Sequence, residues 1–293
     1  MARDFHDAYA ESRMVFENAS DALGVDVAEL CFEGGDRLGL TEFQQPAILT
    51  AEIAMLAALR AHFGFEPTHF GGHSLGEYAA LVAAGVMDIG PTARLVRERG
   101  RLMQEAVPVG DGAMTAVIQP DLDVERLSAL LDGLEADVAN HNSPDQAVVS
   151  GRAIDVATVA ERLRADAAFA RARCIPLRVS APFHSRLMGD VETRFRPSLD
   201  EAAGAWRAER AASVVSNALG TFHHAERNAL VDALARQITA PVRWLDCMRA
   251  LVARTERIVE VGPGRPLAGF FKGVGAAVTS VSNVAAAERL SAS

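Results

Sequence analysis

The sequence predicts an α/β protein: a parallel sheet wrapped by helices, with a smaller β-rich unit set into it. Three observations lead there. Beyond residue 213, strand-like segments at 213–217 and 257–261 alternate with helical ones at 226–238 and 267–274, the pattern of parallel strands joined by helical crossovers. Residues 112–180 have a different rhythm, strand-helix-strand-strand-helix-strand, which is the order of a ferredoxin-like unit. Between a short strand and a helix stands Gly72-His73-Ser74-Leu75-Gly76, the signature of a sharp turn that displays a serine.

Each element has its own local reason. Helical periodicity runs over 5–23 and 45–63, interrupted by the turn at Gly34-Gly35. A strand at 68–71 leads into the serine turn, and an Ala-rich helix follows to Gly85. Asp88 then opens a further helix as its cap, with Pro91 in the first turn, where its missing N–H costs nothing. In the second unit, alternation places a strand at 113–119, 124–131 reads as a helix, and 137–141 and 147–150 read as short strands joined by Asn142-Ser143-Pro144-Asp145. A helix at 154–164 and a strand at 172–179 complete it. The expected division is residues 1–110 with 181–293 as the main domain, and 111–180 as an inserted subdomain.

Composition narrows the function. The chain has 293 residues, of which 49% are hydrophobic and 23% charged, enough for a large core. Its net charge of −9 argues against general nucleic-acid binding, which needs a basic face. Cys31, Cys174 and Cys247 are too few and too scattered for a disulfide framework or a thiolate metal site, and read as small buried hydrophobes. There is no N-terminal apolar h-region, and the longest uncharged apolar run, 78–87, is too short to span a bilayer. A soluble, cytoplasmic, monomeric protein without metal is expected.

A serine hydroxyl is a poor nucleophile until a base takes its proton. The Gly-x-Ser-x-Gly turn exposes Ser74 at a helix start, where the Leu75 amide can receive an oxyanion. Of eight histidines, His6 and His62 fall in charged helices and read as solvated, and His223 and His224 fall in a turn. His69 reads as packed, and His73, beside the serine, as a structural hydrogen-bonding group. His184, in Ala181-Pro182-Phe183-His184-Ser185, ranks first by spacing, because that loop returns the chain to the main domain. On the helix after Asp88, Leu95, Val96, Leu102 and Met103 form one apolar face with Arg99 at its centre. A buried guanidinium there needs an anion, either an internal carboxylate or a substrate's.

Together these residues resemble the malonyl-CoA:acyl-carrier-protein transacylase family, including the free-standing acyltransferases of polyketide assembly lines. The resemblance runs over Gln45-Pro46-Ala47, Gly72-His73-Ser74-Leu75-Gly76-Glu77-Tyr78, Arg99-Gly100-Arg101-Leu102-Met103-Gln104 and Asn140-His141-Asn142-Ser143-Pro144. It continues through residues 181–185, Pro241-Val242-Arg243-Trp244 and Val261-Gly262-Pro263-Gly264. It implies a hydrolase-like α/β domain with a ferredoxin-like insert, Ser74 as the acylated nucleophile and His184 as general base, the imidazole being oriented by a main-chain carbonyl near Arg243. It further implies that Arg99 pairs with the malonyl carboxylate, that Gln45 and Met103 line the pocket, and that Asn142 lies at its edge. Phe183 matches the malonyl-selective pattern.

The implied substrate is malonyl-CoA and the implied partner a phosphopantetheinylated acyl carrier protein, with no cofactor, nucleic acid or membrane. Arg152, Arg162, Arg164, Arg171 and Arg173 are candidates for carrier contact, since such carriers are acidic. Family members begin with a strand ending in a Gly-Gln-Gly-Ser-Gln-like loop whose glutamine amide is a second oxyanion donor. This chain starts at Met1-Ala2-Arg3-Asp4, aligned inside the following helix, so the first strand is expected to be missing and Leu75 to be the one main-chain donor. Two competing readings are a thioester hydrolase of the same fold and a truncated, inactive carrier-binding relative. Hydrolases of this kind tend to lack the arginine, which favours transfer.

Overall fold

The computed structural model describes residues 1–108, 110–179 and 181–291. Its N-terminal half is helical: α1 (Arg3–Ala8), α2 (Ala10–Leu23), α3 (Val27–Glu33), α4 (Thr41–Phe63), α5 (Leu75–Ala83) and α6 (Ile89–Glu105). The helix expected over 5–23 is broken at Tyr9, which adopts extended backbone between α1 and α2. Helix α4 is long and apolar enough to cross a membrane by length and composition alone. It is instead a core helix, burying Ala47, Leu49, Ala51, Ala54, Met55 and Leu59 in the largest apolar cluster of the molecule. Helix α6 lies close against it because Gly100 has no side chain, and a Cβ there would overlap the Thr41 backbone. Asp88 is the N-cap residue of α6 without a side-chain capping bond; its carboxylate accepts from Arg207 instead.

Next come β1 (Gly112–Ile118), α7 (Val124–Ala129), β2 (Ala136–Ser143), β3 (Gln146–Arg152), α8 (Ala153–Ala165) and β4 (Arg173–Pro176). The four strands make one antiparallel sheet in the order β2-β3-β1-β4. One face of it carries a separate apolar core, with Val117, Val149, Val156, Val159, Leu163 and Phe169 among its members. Burial along β1 and β3 is continuous rather than alternating, because the two central strands are covered on both faces.

The chain then returns through α9 (Gly189–Ala203), β5 (Val215–Ser216), β6 (Thr221–Phe222), α10 (Arg227–Arg236) and α11 (Trp244–Val252). It ends with β7 (Ile258–Val261), α12 (Ala268–Phe271), β8 (Val278–Val281) and α13 (Val284–Ser291). Parallel pairing occurs between β7 and β8, and at two isolated bridges, Phe70 with Val214 and Asn140 with Val242. The strand expected at 68–71 is therefore reduced to the Phe70 bridge. Between the two parallel pieces runs a cleft of about 590 Å³, lined by residues of 64–73 and 257–261 and flanked by α4, α5 and Trp244. Glu52 of α4 faces this cleft, and burial, reinforced by the nearby Glu260 carboxylate, pushes its carboxyl up to about 8.

Candidate active site

The serine turn has the geometry its glycines announce. Ser74 has φ 51° and ψ −103°, a left-handed conformation that L-residues seldom adopt, and it stands directly before α5. Gly72 is required by contact, since a Cβ on it would overlap the Gly76 backbone. The Leu75 N–H is the first of the helix and, among the described residues, donates to no backbone acceptor. It is free to meet an oxyanion at the positive end of α5. Asn217 fixes the turn from outside: its Oδ1 accepts the Ser74 N–H at 2.6 Å and its Nδ2 donates to the Gly72 carbonyl at 2.9 Å.

His184 is brought to the serine across 110 residues of sequence, with Nε2 at 2.8 Å from Ser74 Oγ. It too has a positive φ, 55°, and its ring is buried. The other ring nitrogen, Nδ1, lies 2.8 Å from the main-chain oxygen of Gln237. A carbonyl only accepts, so Nδ1 carries the hydrogen and Nε2 presents its lone pair to the serine hydroxyl. The orienting carbonyl is thus Gln237, just after α10, and not one near Arg243; the Arg243 carbonyl accepts the Cys247 N–H in α11. Burial, and secondarily the Arg99 charge, pushes the His184 pKa down to about 3, so the imidazole is neutral across the physiological range.

Arg99 is 1% exposed. Its Nη1 donates to Gln45 Oε1 at 2.8 Å, and its Nη2 to Gln237 Oε1 at 3.0 Å and to Ser74 Oγ at 3.1 Å. The guanidinium carbon lies 5.5 Å from the Tyr78 ring centre, and Nε has no hydrogen-bond partner. Among the described residues no carboxylate approaches the guanidinium within 4 Å, so the internal ion pair weighed from sequence is not formed. A buried cation with neutral acceptors only, set beside the Ser74 hydroxyl, has the chemistry to receive an anion.

Gln45 also donates through Nε2 to Met103 Sδ at 3.8 Å, which ties Met103 to the Arg99 partner. Asn142 is buried and its Oδ1 pairs with His73 Nε2 at 2.9 Å, giving His73 the structural bond foreseen for it. Phe183, half-buried, packs against both the main core and a small cluster of Met114, Ala116, Ala139 and Val148. Of the arginines, Arg152 pairs with Glu135 and Arg162 holds the Leu130 and Asp132 carbonyls, so both are committed locally. Arg164, Arg171 and Arg173 are exposed and, among the described residues, form no ion pair.

One buried group was invisible to sequence reasoning. His223, expected in a turn, is 4% exposed, with Nε2 2.7 Å from Glu77 Oε1. His69 makes an edge contact with Phe222, His62 pairs with Glu11 at the surface, and His6 sits edge-on to Phe16 and Phe32 rather than being fully solvated. Cys31 and Cys247 are buried, and Cys174 is half-buried at the edge of the antiparallel sheet.

Residues 2–283 match the acyl transferase domain family. The malonyl CoA-acyl carrier protein transacylase of Bacillus subtilis is 36% identical over 281 residues, covering 94% of this chain and 86% of the relative. The Escherichia coli protein of the same name is 38% identical over 280 residues, covering 93% and 87%. Among solved structures, a malonyl CoA-acyl carrier protein transacylase from Clostridium perfringens superposes with a TM-score of 0.89 at 31% identity, over 99% of this chain and 91% of that one. A malonyl-transacylase in complex with its type II polyketide-synthase acyl-carrier protein gives 0.88 at 33%, over 98% and 93%.

Proposed function

This chain belongs to the acyl transferase domain family, among the malonyl CoA-acyl carrier protein transacylases, and from that premise we propose that it moves malonyl from coenzyme A to the phosphopantetheine thiol of an acyl carrier protein through an ester on Ser74. The observation that carries this reading is the Arg99 guanidinium, buried beside Ser74 Oγ without a counter-ion. A malonyl thioester brings the missing carboxylate, and pairing it with Arg99 places the thioester carbonyl at the serine.

The steps follow from the hydrogen bonds. His184 Nε2 takes the Ser74 proton as Oγ attacks the thioester carbon. The oxyanion is received by the Leu75 N–H. On collapse the carbon–sulfur bond breaks, and the coenzyme A thiol leaves with the proton held by His184. The carrier thiol then gives its proton to His184 and attacks the ester, and Ser74 Oγ recovers a proton as it leaves. No redox change occurs, so the residues suffice without a cofactor. The free energy is nearly balanced, thioester for thioester, and the protein's task is orientation and exclusion of water. Phe183 restricts the space beside the acyl α-carbon, favouring malonyl over an α-methyl homologue by about 1–3 kcal/mol.

The same reading divides the chain into a hydrolase-like domain, residues 1–110 with 181–293, and a ferredoxin-like subdomain, 111–180. The separate apolar core and the β2-β3-β1-β4 order support it; Val109 and the boundary residue Ser180 lie outside the described residues. It also takes the protein to be cytoplasmic and monomeric, serving fatty-acid or polyketide synthesis. Incubation with labelled malonyl-CoA followed by intact mass is the test. A malonyl adduct that discharges to a carrier thiol is expected. Turnover without an adduct would make it a hydrolase, and neither would make it a binding protein.

A further inference from the structure

Glu77, in the first turn of α5, is completely buried. Three donors converge on its carboxylate, none of them a lysine or arginine. The Asn217 N–H and Gln237 Nε2 reach Oε2 at 2.9 and 2.6 Å, and His223 Nε2 reaches Oε1 at 2.7 Å. Two of these partners are already parts of the site: Asn217 holds Ser74, and Gln237 holds both His184 and Arg99.

A carboxylate accepts hydrogen bonds and does not donate them, so it dictates the orientation of any amide it meets. The Gln237 side chain must turn its NH₂ toward Glu77, where it also reaches the Ser74 carbonyl at 3.1 Å. Its oxygen is thereby left facing Arg99. In the flipped amide, oxygen would face the carboxylate and NH₂ would face the guanidinium, two repulsive contacts in place of two attractive ones. Among the described residues Glu77 forms no ion pair with Arg99, so it acts on the guanidinium by way of Gln237 and by its charge at longer range.

We propose that Glu77 is a positioning residue that sets acyl selectivity: by fixing the Gln237 amide it holds Arg99 in the orientation that receives the substrate carboxylate. This rests on the malonyl-transfer reading above. A purely structural Glu77, stabilising the start of α5, would affect all acyl donors alike.

The test is self-acylation by malonyl-CoA and acetyl-CoA, measured as the ratio of kcat/KM values, on wild type, Glu77→Met, Glu77→Gln and Gln237→Met, with thermal melting as the check on folding. Glu77→Met removes the acceptors at similar size and is expected to lower the malonyl-to-acetyl ratio about tenfold or more. Glu77→Gln is expected to keep most of the ratio. The Asn217 N–H selects the glutamine oxygen at the Gln237 side, and its NH₂ faces a His223 ring that can accept there, since His223 Nδ1 has no partner to lose by taking the proton. Gln237→Met is expected to reproduce the loss, and it decides the matter should Glu77→Met fail to fold. An unchanged ratio in Gln237→Met, or in a folded Glu77→Met, overturns the inference, as does equal loss in Glu77→Gln and Glu77→Met. A wild-type chain that takes no malonyl sinks the proposed function, and this inference with it; a malonyl-selective wild type with insensitive variants sinks the inference alone.

Discussion

Replacing Arg99 with alanine separates recognition from chemistry. The guanidinium is 1% exposed and holds three neutral oxygens, so its removal is felt far more by the substrate than by the fold. For malonyl, truncating one partner of a buried charge pair costs about 2–5 kcal/mol. At 1.36 kcal/mol per tenfold, that is a loss of about 30-fold to several thousand-fold in kcat/KM. Acetyl has no carboxylate and forfeits only the 3.1 Å bond from Arg99 to Ser74 Oγ, so its rate changes far less. For the fold, Gln45 and Gln237 lose a donor, about 1–3 kcal/mol each if left dry. The relief of an uncompensated buried charge, several kcal/mol in the other direction, offsets that, and Tm stays near the wild-type value. A second readout comes free. Arg99 helps to depress the His184 pKa, so in the variant the imidazole protonates at higher pH and the acid limb of acetyl transfer moves upward. Competition between malonyl-CoA and acetyl-CoA, scored by intact mass of the acyl-enzyme, measures the ratio directly. An unchanged ratio would refute the reasoning and leave Arg99 a structural residue.

Four further outcomes are expected. Ser74→Ala abolishes the malonyl adduct and His184→Ala slows it by several orders of magnitude, because the pair acts as a unit; an adduct on Ser74→Ala would move the nucleophile elsewhere. With the His184 pKa at about 3, kcat/KM for acylation stays level from pH 8 to about pH 4, and a limb near 6.5 in rapid pH-jump kinetics would contradict the buried neutral imidazole. Glu52 binds its proton more tightly folded than unfolded, so stability declines as pH rises from about 4.5 to about 8; Glu52→Gln removes that slope, a gain of about 2–4 kcal/mol at pH 8.5 by denaturant titration. Reversing the exposed Arg164, Arg171 and Arg173 weakens discharge to an acidic carrier and its salt dependence while leaving acylation by malonyl-CoA intact; equal loss of both half-reactions would indicate misfolding.

Much of the site was legible because its geometry demands particular residue types. A turn that exposes Ser74 and brings Gly72 against the Gly76 backbone has to be written in glycines. Arg99 betrays itself as a charge at the centre of an apolar helix face. The small antiparallel sheet is readable from the short apolar runs of β1 and β3 and the turn residues that bound them. What escaped lacks a side-chain signature. The group orienting His184 is a backbone oxygen, which any residue has, and the resemblance placed it six positions too late, near Arg243. His223 follows the two-residue strand β6, too short to show a period, and its burial depends on Glu77, distant in sequence. The break at Tyr9 involves neither glycine nor proline. The strand before Ser74 pairs at Phe70 alone, although its composition suggests a longer ladder.

Ser74 and His184, the two ends of one 2.8 Å bond, both occupy left-handed backbone that glycine alone enters without strain. Each such residue costs on the order of 1–3 kcal/mol, against a typical whole-domain stability of about 5–15 kcal/mol. Their retention sets folding and chemistry in competition at single residues: the backbone strain is held in place by the packing around it, so stability gained elsewhere in the chain is what lets these two side chains stay where the proposed reaction needs them.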